Sequence, residues 1–212
     1  MAARDAGEVT ARQLDSLTDS EQAKRSEHSM QLAQVLDVVE RLLVAAEHPE
    51  IVKVERYGTA TEPWGPDAAR SRTTTISGLK ATFTSTSTAL LNGRILPGVV
   101  DVPMPAELPL PTLRAPRFAT FVAQLLNVAR PKQFTSWQLV SPPAMGPADR
   151  PGTLPYGISI SCADGTKMLL LCQATGAMVG KEPEEEPFPG YVIPEGVKTC
   201  LQEVSAQPAA PA

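Results

Sequence analysis

Between residues 97 and 116 the chain carries six prolines, at 97, 103, 105, 109, 111 and 116. A proline lacks the N–H that a helix interior or a central strand must donate, so this stretch can be neither. It is expected to run over the surface as polyproline II and to join a strand-rich first half to a helix and hairpin in the second half. Most of the remaining 15 of the chain's 21 prolines fall in two further clusters, around residues 142–155 and 183–194. They act as punctuation between elements and divide the 212 residues into one ordinary domain with appendages.

Before the first strand, Leu32, Val35, Leu36, Val39, Leu42, Leu43 and Ala46 recur at helical spacing and predict an amphipathic helix. Thr18 and Glu21 have capping-box spacing, so the helix is expected over residues 18–48, stopped by His48-Pro49, after a disordered stretch 1–17. Residues 51–57 alternate apolar and charged side chains and read as a strand. A loop holding Trp64 follows. Residues 73–91 are rich in threonine and serine, predicting two strands with a break near Ser85. Asn92-Gly93 carries the signal of a tight type I′ hairpin turn. Residues 82–88 are polar on both faces, as in an exposed sheet edge.

After the proline segment, Phe118, Phe121, Val122, Leu125, Leu126 and Val128 predict a core helix that starts near Pro116 and ends at Arg130-Pro131. Residues 134–140 form a strand with Trp137. Residues 158–162 and 167–173 form a hairpin about Asp164-Gly165, whose second strand is apolar enough to be central. The fold class is therefore α+β: a mostly antiparallel sheet of five to seven strands over residues 49–178, with one packed helix. The long N-terminal helix and a disordered acidic C-terminal tail complete it. Residues 179–212 read as an acidic, proline-rich linker and tail, in which Lys181 to Pro187 is a solvated linker by composition.

Residues 78–89 (Gly78 to Ala89), 118–130 and 161–166 resemble segments of uncharacterised proteins carried by phages and mobile elements of high-GC bacteria. The resemblance implies a mobile-element context and brings no activity and no site residue with it.

Chemistry-bearing motifs are sparse. His28 and His48 lack a second ligand at i+3 or i+4, and no phosphate-cradling glycine loop or nucleophile elbow occurs. No cofactor or metal is expected, and no catalytic residue is assigned. Asp101, Glu107, Asp149 and Asp164 lie in loops or turns, so acid–base chemistry is left open while a non-enzyme is favoured. Three cysteines, Cys162, Cys172 and Cys200, give no closed disulfide framework, and Cys162 and Cys172 would sit at opposite ends of their hairpin. With no apolar leader and no run of about 18 apolar residues, a cytoplasmic protein with no membrane partner is expected.

Two interaction surfaces stand out. Phe188, Tyr191, Val192 and Ile193 form an apolar island beyond the acidic run, able to bind a protein partner, to support self-association or to cover its own core. Arg114, Arg117, Arg130 and Lys132 bracket the second helix with Trp137 close by, the charge-plus-aromatic footprint of a nucleic-acid site. The charge distribution suits both: residues 48–180 carry net +4, and each flank carries −4. The leading expectation is a non-enzymatic interaction or assembly protein acting through the N-terminal helix, the edge at 82–88 and the tail island. The alternative is a nucleic-acid-binding accessory protein.

Overall fold

A computed structural model describes residues 30–57, 78–94, 98–175, 182–195 and 197. Expectations for residues 1–17, the Thr18/Glu21 cap, His28, Trp64, Cys200 and the last twelve residues lie outside the described residues.

Helix α1 spans Leu32–Ala46 and packs over β1 (Ile51–Tyr57) and β2 (Gly78–Phe83). Helix α2 spans Arg114–Ala129 and packs over β3 (Thr88–Arg94), β5 (Phe134–Ser141), β6 (Gly157–Cys162) and β7 (Lys167–Thr175). With the two-residue β4 (Val100–Asp101), the strands form one seven-stranded sheet in the order β1-β2-β3-β7-β6-β5-β4, every pair antiparallel. Two meanders, β1-β2-β3 and β7-β6-β5, meet along the β3–β7 ladder from Thr88↔Thr175 to Arg94↔Leu169. The α+β class and the central β7 agree with the sequence.

The core lies between the sheet and the two helices, which touch each other. Strand alternation sends Leu79, Ala81, Phe83, Ala89, Leu91, Ile158, Ile160, Leu170 and Cys172 into it. Val35, Leu36, Val39, Leu42 and Leu43 of α1 and Phe118, Phe121, Val122, Leu125 and Leu126 of α2 meet them from above, at the spacing the periodicity predicted. Both described cysteines are free and buried. Burial pushes the Cys172 thiol up, and burial followed by the Asp164 charge does the same to Cys162, which disfavours the reactive thiolate in both.

Three expectations are corrected. Helix α1 does not run on from residue 18: Gln31 has extended backbone (φ −86°, ψ 152°) and caps a helix that begins at Leu32, its N–H bonded to Gln34 Oε1 at 2.7 Å. A second correction concerns Asn92-Gly93, which is no turn. Both residues are ladder members inside β3, because Gly93 is where α1 approaches the sheet, and a Cβ there would lie 2.6 Å from Leu32 Cδ2. Third, residues 82–88 are not a sheet edge. They hold the β2–β3 turn, with Thr86 at φ 68°, and β2 is paired on both sides. The edges are β1 and β4. Both helices pack on the sheet, α1 beside α2. The Asp164-Gly165 turn is as expected, with Gly165 at φ 87°. Asp164 accepts from Thr166 N–H at 2.9 Å and also from Met30 N–H, tying the hairpin tip to the chain just before α1. These N–H groups, Thr166 first, hold its carboxyl below the ordinary range.

Candidate ligand groove: a buried arginine pair under an acidic strap

Arg114 and Arg117 open α2 at i, i+3 spacing, so their side chains leave the same face. A helix N-terminus carries partial positive charge and is a poor place for two cations, and the first turn holds no acidic residue to offset them. Both residues are nevertheless buried, 3% and 2% exposed. Their presence therefore demands anions from elsewhere in the chain.

Glu50 supplies the first from below. It follows the α1 stop at His48-Pro49, and its backbone carbonyl accepts Thr84 N–H at 2.9 Å, locking the β2–β3 turn beside it. Its own side chain is equally buried. One carboxylate oxygen binds Arg114 Nη1, and the other binds Arg117 Nε at 2.9 Å. The Arg114 guanidinium also lies 3.9 Å over the Phe83 ring. One carboxylate under two guanidiniums leaves one surplus positive charge in a desolvated place.

The second and third anions come from the segment expected to be a solvated linker. Glu182 binds Arg114, with Oε1 at 3.2 Å from Nε and Oε2 on Nη2. Glu186 takes Arg117 in a two-pronged pair, Nη1 to Oε2 at 2.7 Å and Nη2 to Oε1 at 2.9 Å. Residues 182–195 thus form a strap over the N-terminal turn of α2, and the solvated-linker reading of Lys181 to Pro187 is corrected for Glu182 and Glu186. Burial works against the charge on Glu182, but Arg114 and the hydroxyls of Ser85 and Ser87 outweigh it and hold the carboxyl low. Arg117 holds Glu186 low in the same way. Burial also opposes the charge on Arg117, yet Glu186 and Glu50 raise its pKa above the ordinary value.

Beyond the ion pairs the strap is aromatic. The Tyr191 ring stands 4.2 Å from His48 and its hydroxyl donates to Ala46 O at 2.6 Å. Phe188 meets the same imidazole at 6.2 Å, and Phe121 backs it from α2 at 4.8 Å. His48 Nδ1 accepts Glu50 N–H at 3.2 Å. Burial lowers the His48 pKa, with the attraction of Glu50 only partly opposing, so the imidazole stands neutral in the cluster. Beneath it, His48, Glu50, Phe83, Arg117, Phe118 and Phe121 line a cavity of about 10 Å³, the space of roughly one water.

The structure disperses the expected nucleic-acid residues. Arg114 and Arg117 are spent on carboxylates at one end of α2. Arg130 and Lys132 are exposed at the other, roughly 24 Å away along the helix. Trp137 is half-buried against the core, its indole N–H bonded to Asn127 Oδ1 at 2.7 Å. Of the tail island, Phe188, Tyr191 and Ile193 lie on the chain's own body, while Val192 points out, 80% exposed. Glu50, His48, Glu182 and Glu186 carried no functional expectation. Their only sequence signal was indirect: two arginines at a helix N-terminus, where cations are disfavoured, need anions from elsewhere in the chain.

Acid should loosen the strap. Glu182 and Glu186 have folded pKa values below their ordinary 4.5, so their contribution is complete above that value and is lost as pH falls through the folded pKa. His48, with a folded pKa below 6.5, adds a loss of the same sign beginning below pH 6.5. Urea midpoints measured from pH 7 to 3 should therefore fall in two stages. The substitutions Glu182→Gln and Glu186→Gln together should flatten the second stage and shrink the first as well, because freeing the strap lifts Tyr191 and Phe188 off His48.

No family model matches this chain, and no curated protein or solved structure is significantly similar to it. Among the described residues no helix is long and apolar enough to cross a membrane.

Proposed function

We propose that this is a non-enzymatic interaction protein whose body recognises an acidic, aromatic peptide. One observation carries the reading: four side chains of the strap 182–195, Glu182, Glu186, Phe188 and Tyr191, each meet a matching group on the body. Two guanidiniums meet two glutamates, and a neutral imidazole flanked by Phe121 meets Phe188 and Tyr191. Peptide recognition of this kind combines charge-assisted pairing for orientation with aromatic anchors for affinity. The phage or mobile-element setting belongs to this proposal through the sequence resemblance alone.

The test is a fluorescence titration of a labelled synthetic peptide of residues 182–195 into the full chain carrying Glu182→Gln and Glu186→Gln. Saturable binding that weakens as salt rises is expected, with weaker binding to the unsubstituted chain, whose own strap competes. Absence of binding to the substituted chain at low salt would refute the groove.

A second reading, nucleic-acid binding, rests on Arg130 and Lys132, exposed beside Trp137 at the C-terminal end of α2. It predicts single-strand binding at low salt that Arg130→Ala and Lys132→Ala abolish.

A further inference from the structure

Resting on the second reading and not on the groove, we infer that the cations at the C-terminal end of α2 continue across the end of the sheet. They form one phosphate-binding strip, Arg130–Lys132–Lys167–Arg94, for a single nucleic-acid strand.

Among the described residues, Lys53, Arg56, Arg114, Arg117 and Arg150 are held by carboxylates. Arg41, Lys80, Arg94, Arg130, Lys132 and Lys167 are not, and the fold gathers the last four of these from separate parts of the chain. At one end of the sheet β3 ends, β7 begins, β6 ends and β5 begins. Arg94 pairs with Leu169, two residues along β7 from Lys167. Lys167 pairs with Ser161 of β6, which pairs with Ser136 of β5. Ala163 N–H donates to Gln133 O at 2.8 Å, so Lys132 stands beside the tip of the β6–β7 hairpin. Arg130 caps α2 at φ 45°, where the chain turns from the helix toward β5. From Arg94 to Lys132 the strip crosses three strand spacings, about 14 Å.

The two ends of α2 therefore treat their cations differently. Arg114 and Arg117 are buried and closed by the chain's own glutamates. Arg130, Lys132 and Lys167 are exposed, Arg94 is half-buried, and none of the four is closed by a carboxylate. Asp164 lies in the strip at the hairpin tip, but its carboxylate is taken by the Thr166 N–H and hydroxyl and by the Met30 N–H. Four cations less this one carboxylate leave a net charge of +3. Long cations facing water in a row take up phosphates by releasing their counterions, and the Ser136 and Ser161 hydroxyls on the Lys167 row add phosphate donors. Trp137 follows on β5, its indole fixed by Asn127 and part of its ring left open to stack a base. A strip of this make-up holds the backbone of a strand and does not select its sequence.

The experiment is fluorescence anisotropy of a labelled oligothymidylate of about twelve nucleotides, titrated with the full chain at increasing sodium chloride. Saturable binding is expected, its log affinity falling with log salt at a slope of about −0.7 per phosphate neutralised, or about −3 for four contacts. Lys167→Gln and Arg94→Gln should each weaken binding several-fold and reduce the slope by about 0.7. Arg41→Gln removes an exposed cation from α1, off the strip, and should change neither. If Lys167→Gln and Arg94→Gln behave like Arg41→Gln, the strip falls and the reading on Arg130 and Lys132 stands. If the unsubstituted chain binds no strand at low salt, both fall, and the peptide titration still decides the groove. Tighter binding to phosphatidylglycerol vesicles than to the strand, at equal phosphate concentration, would make this end a lipid surface and overturn the strip. Should Arg94→Gln fail to fold, the exposed Lys167 decides alone.

Discussion

Replacing Glu50 with alanine is expected to lower the unfolding free energy by about 3–5 kcal/mol, the cost of removing one partner from a buried ion pair. Glu50 is 2% exposed and bonds two guanidiniums at once, and its loss leaves buried N–H groups of Arg114 and Arg117 without the acceptor beneath them. The strap glutamates cannot replace it, since they reach the guanidiniums from the opposite side and already use both oxygens there. Added salt should restore little, because screening acts weakly on buried charges. Against a typical domain stability of about 5–15 kcal/mol the loss is large enough to read in any urea titration. A cost below about 1 kcal/mol would show that solvent reaches the pair and that the cluster is a surface network.

Phe118→Ala should cost about as much, roughly 3–5 kcal/mol, and should also release the strap. Phe118 is 1% exposed and meets Phe83 edge-on at 6.0 Å, while Phe83 in turn carries the Arg114 guanidinium on its face. Truncation opens a void next to the small cavity under His48 and frees Phe83 to tip into it, moving the cation–π support from under Arg114. Leu170→Ala, on β7, should cost about 2–5 kcal/mol without that second effect. Urea unfolding gives the first number for each, and proteolysis within residues 182–195 reports the second. Equal proteolysis in the two variants would mean that Phe118 is core and nothing more.

The elements legible in the sequence are those whose burial is periodic. Val35 to Leu43 and Phe118 to Leu126 write their helices in apolar spacing, and Ile158 and Ile160 alternate with serines up to an Asp164-Gly165 turn that only backbone chemistry specifies. Asn92-Gly93 misled because the same dipeptide serves two ends. Its turn preference is local, whereas the need for a small residue under Leu32 is set by a helix 60 residues earlier. The polarity of residues 82–88 misled in a similar way, since strand order decides which strand is an edge, and that order depends on β3 pairing with β7 across the whole chain.

The groove was the least legible part. Acidic, proline-rich composition is what a solvated linker has, and nothing within Lys181 to Pro187 announces that Glu182 and Glu186 have partners. Arg114 and Arg117 read as two of four helix-flanking cations, though they differ from Arg130 in one respect. They stand at the positive end of the helix, where cations are disfavoured, and Arg130 stands at the negative end, where they are favoured. That asymmetry was the available hint that the first two needed anions brought to them.

The account turns on whether the strap is held by the arginine pair, and a double-mutant cycle on Arg117 and Glu186 measures that directly. Unfolding free energies of the parent, Arg117→Gln, Glu186→Gln and the double variant should show the two changes coupled by about 1–3 kcal/mol, the double costing less than the sum. Strict additivity within about 0.3 kcal/mol would mean that the two side chains do not interact in solution and that the acidic segment is not seated on the groove.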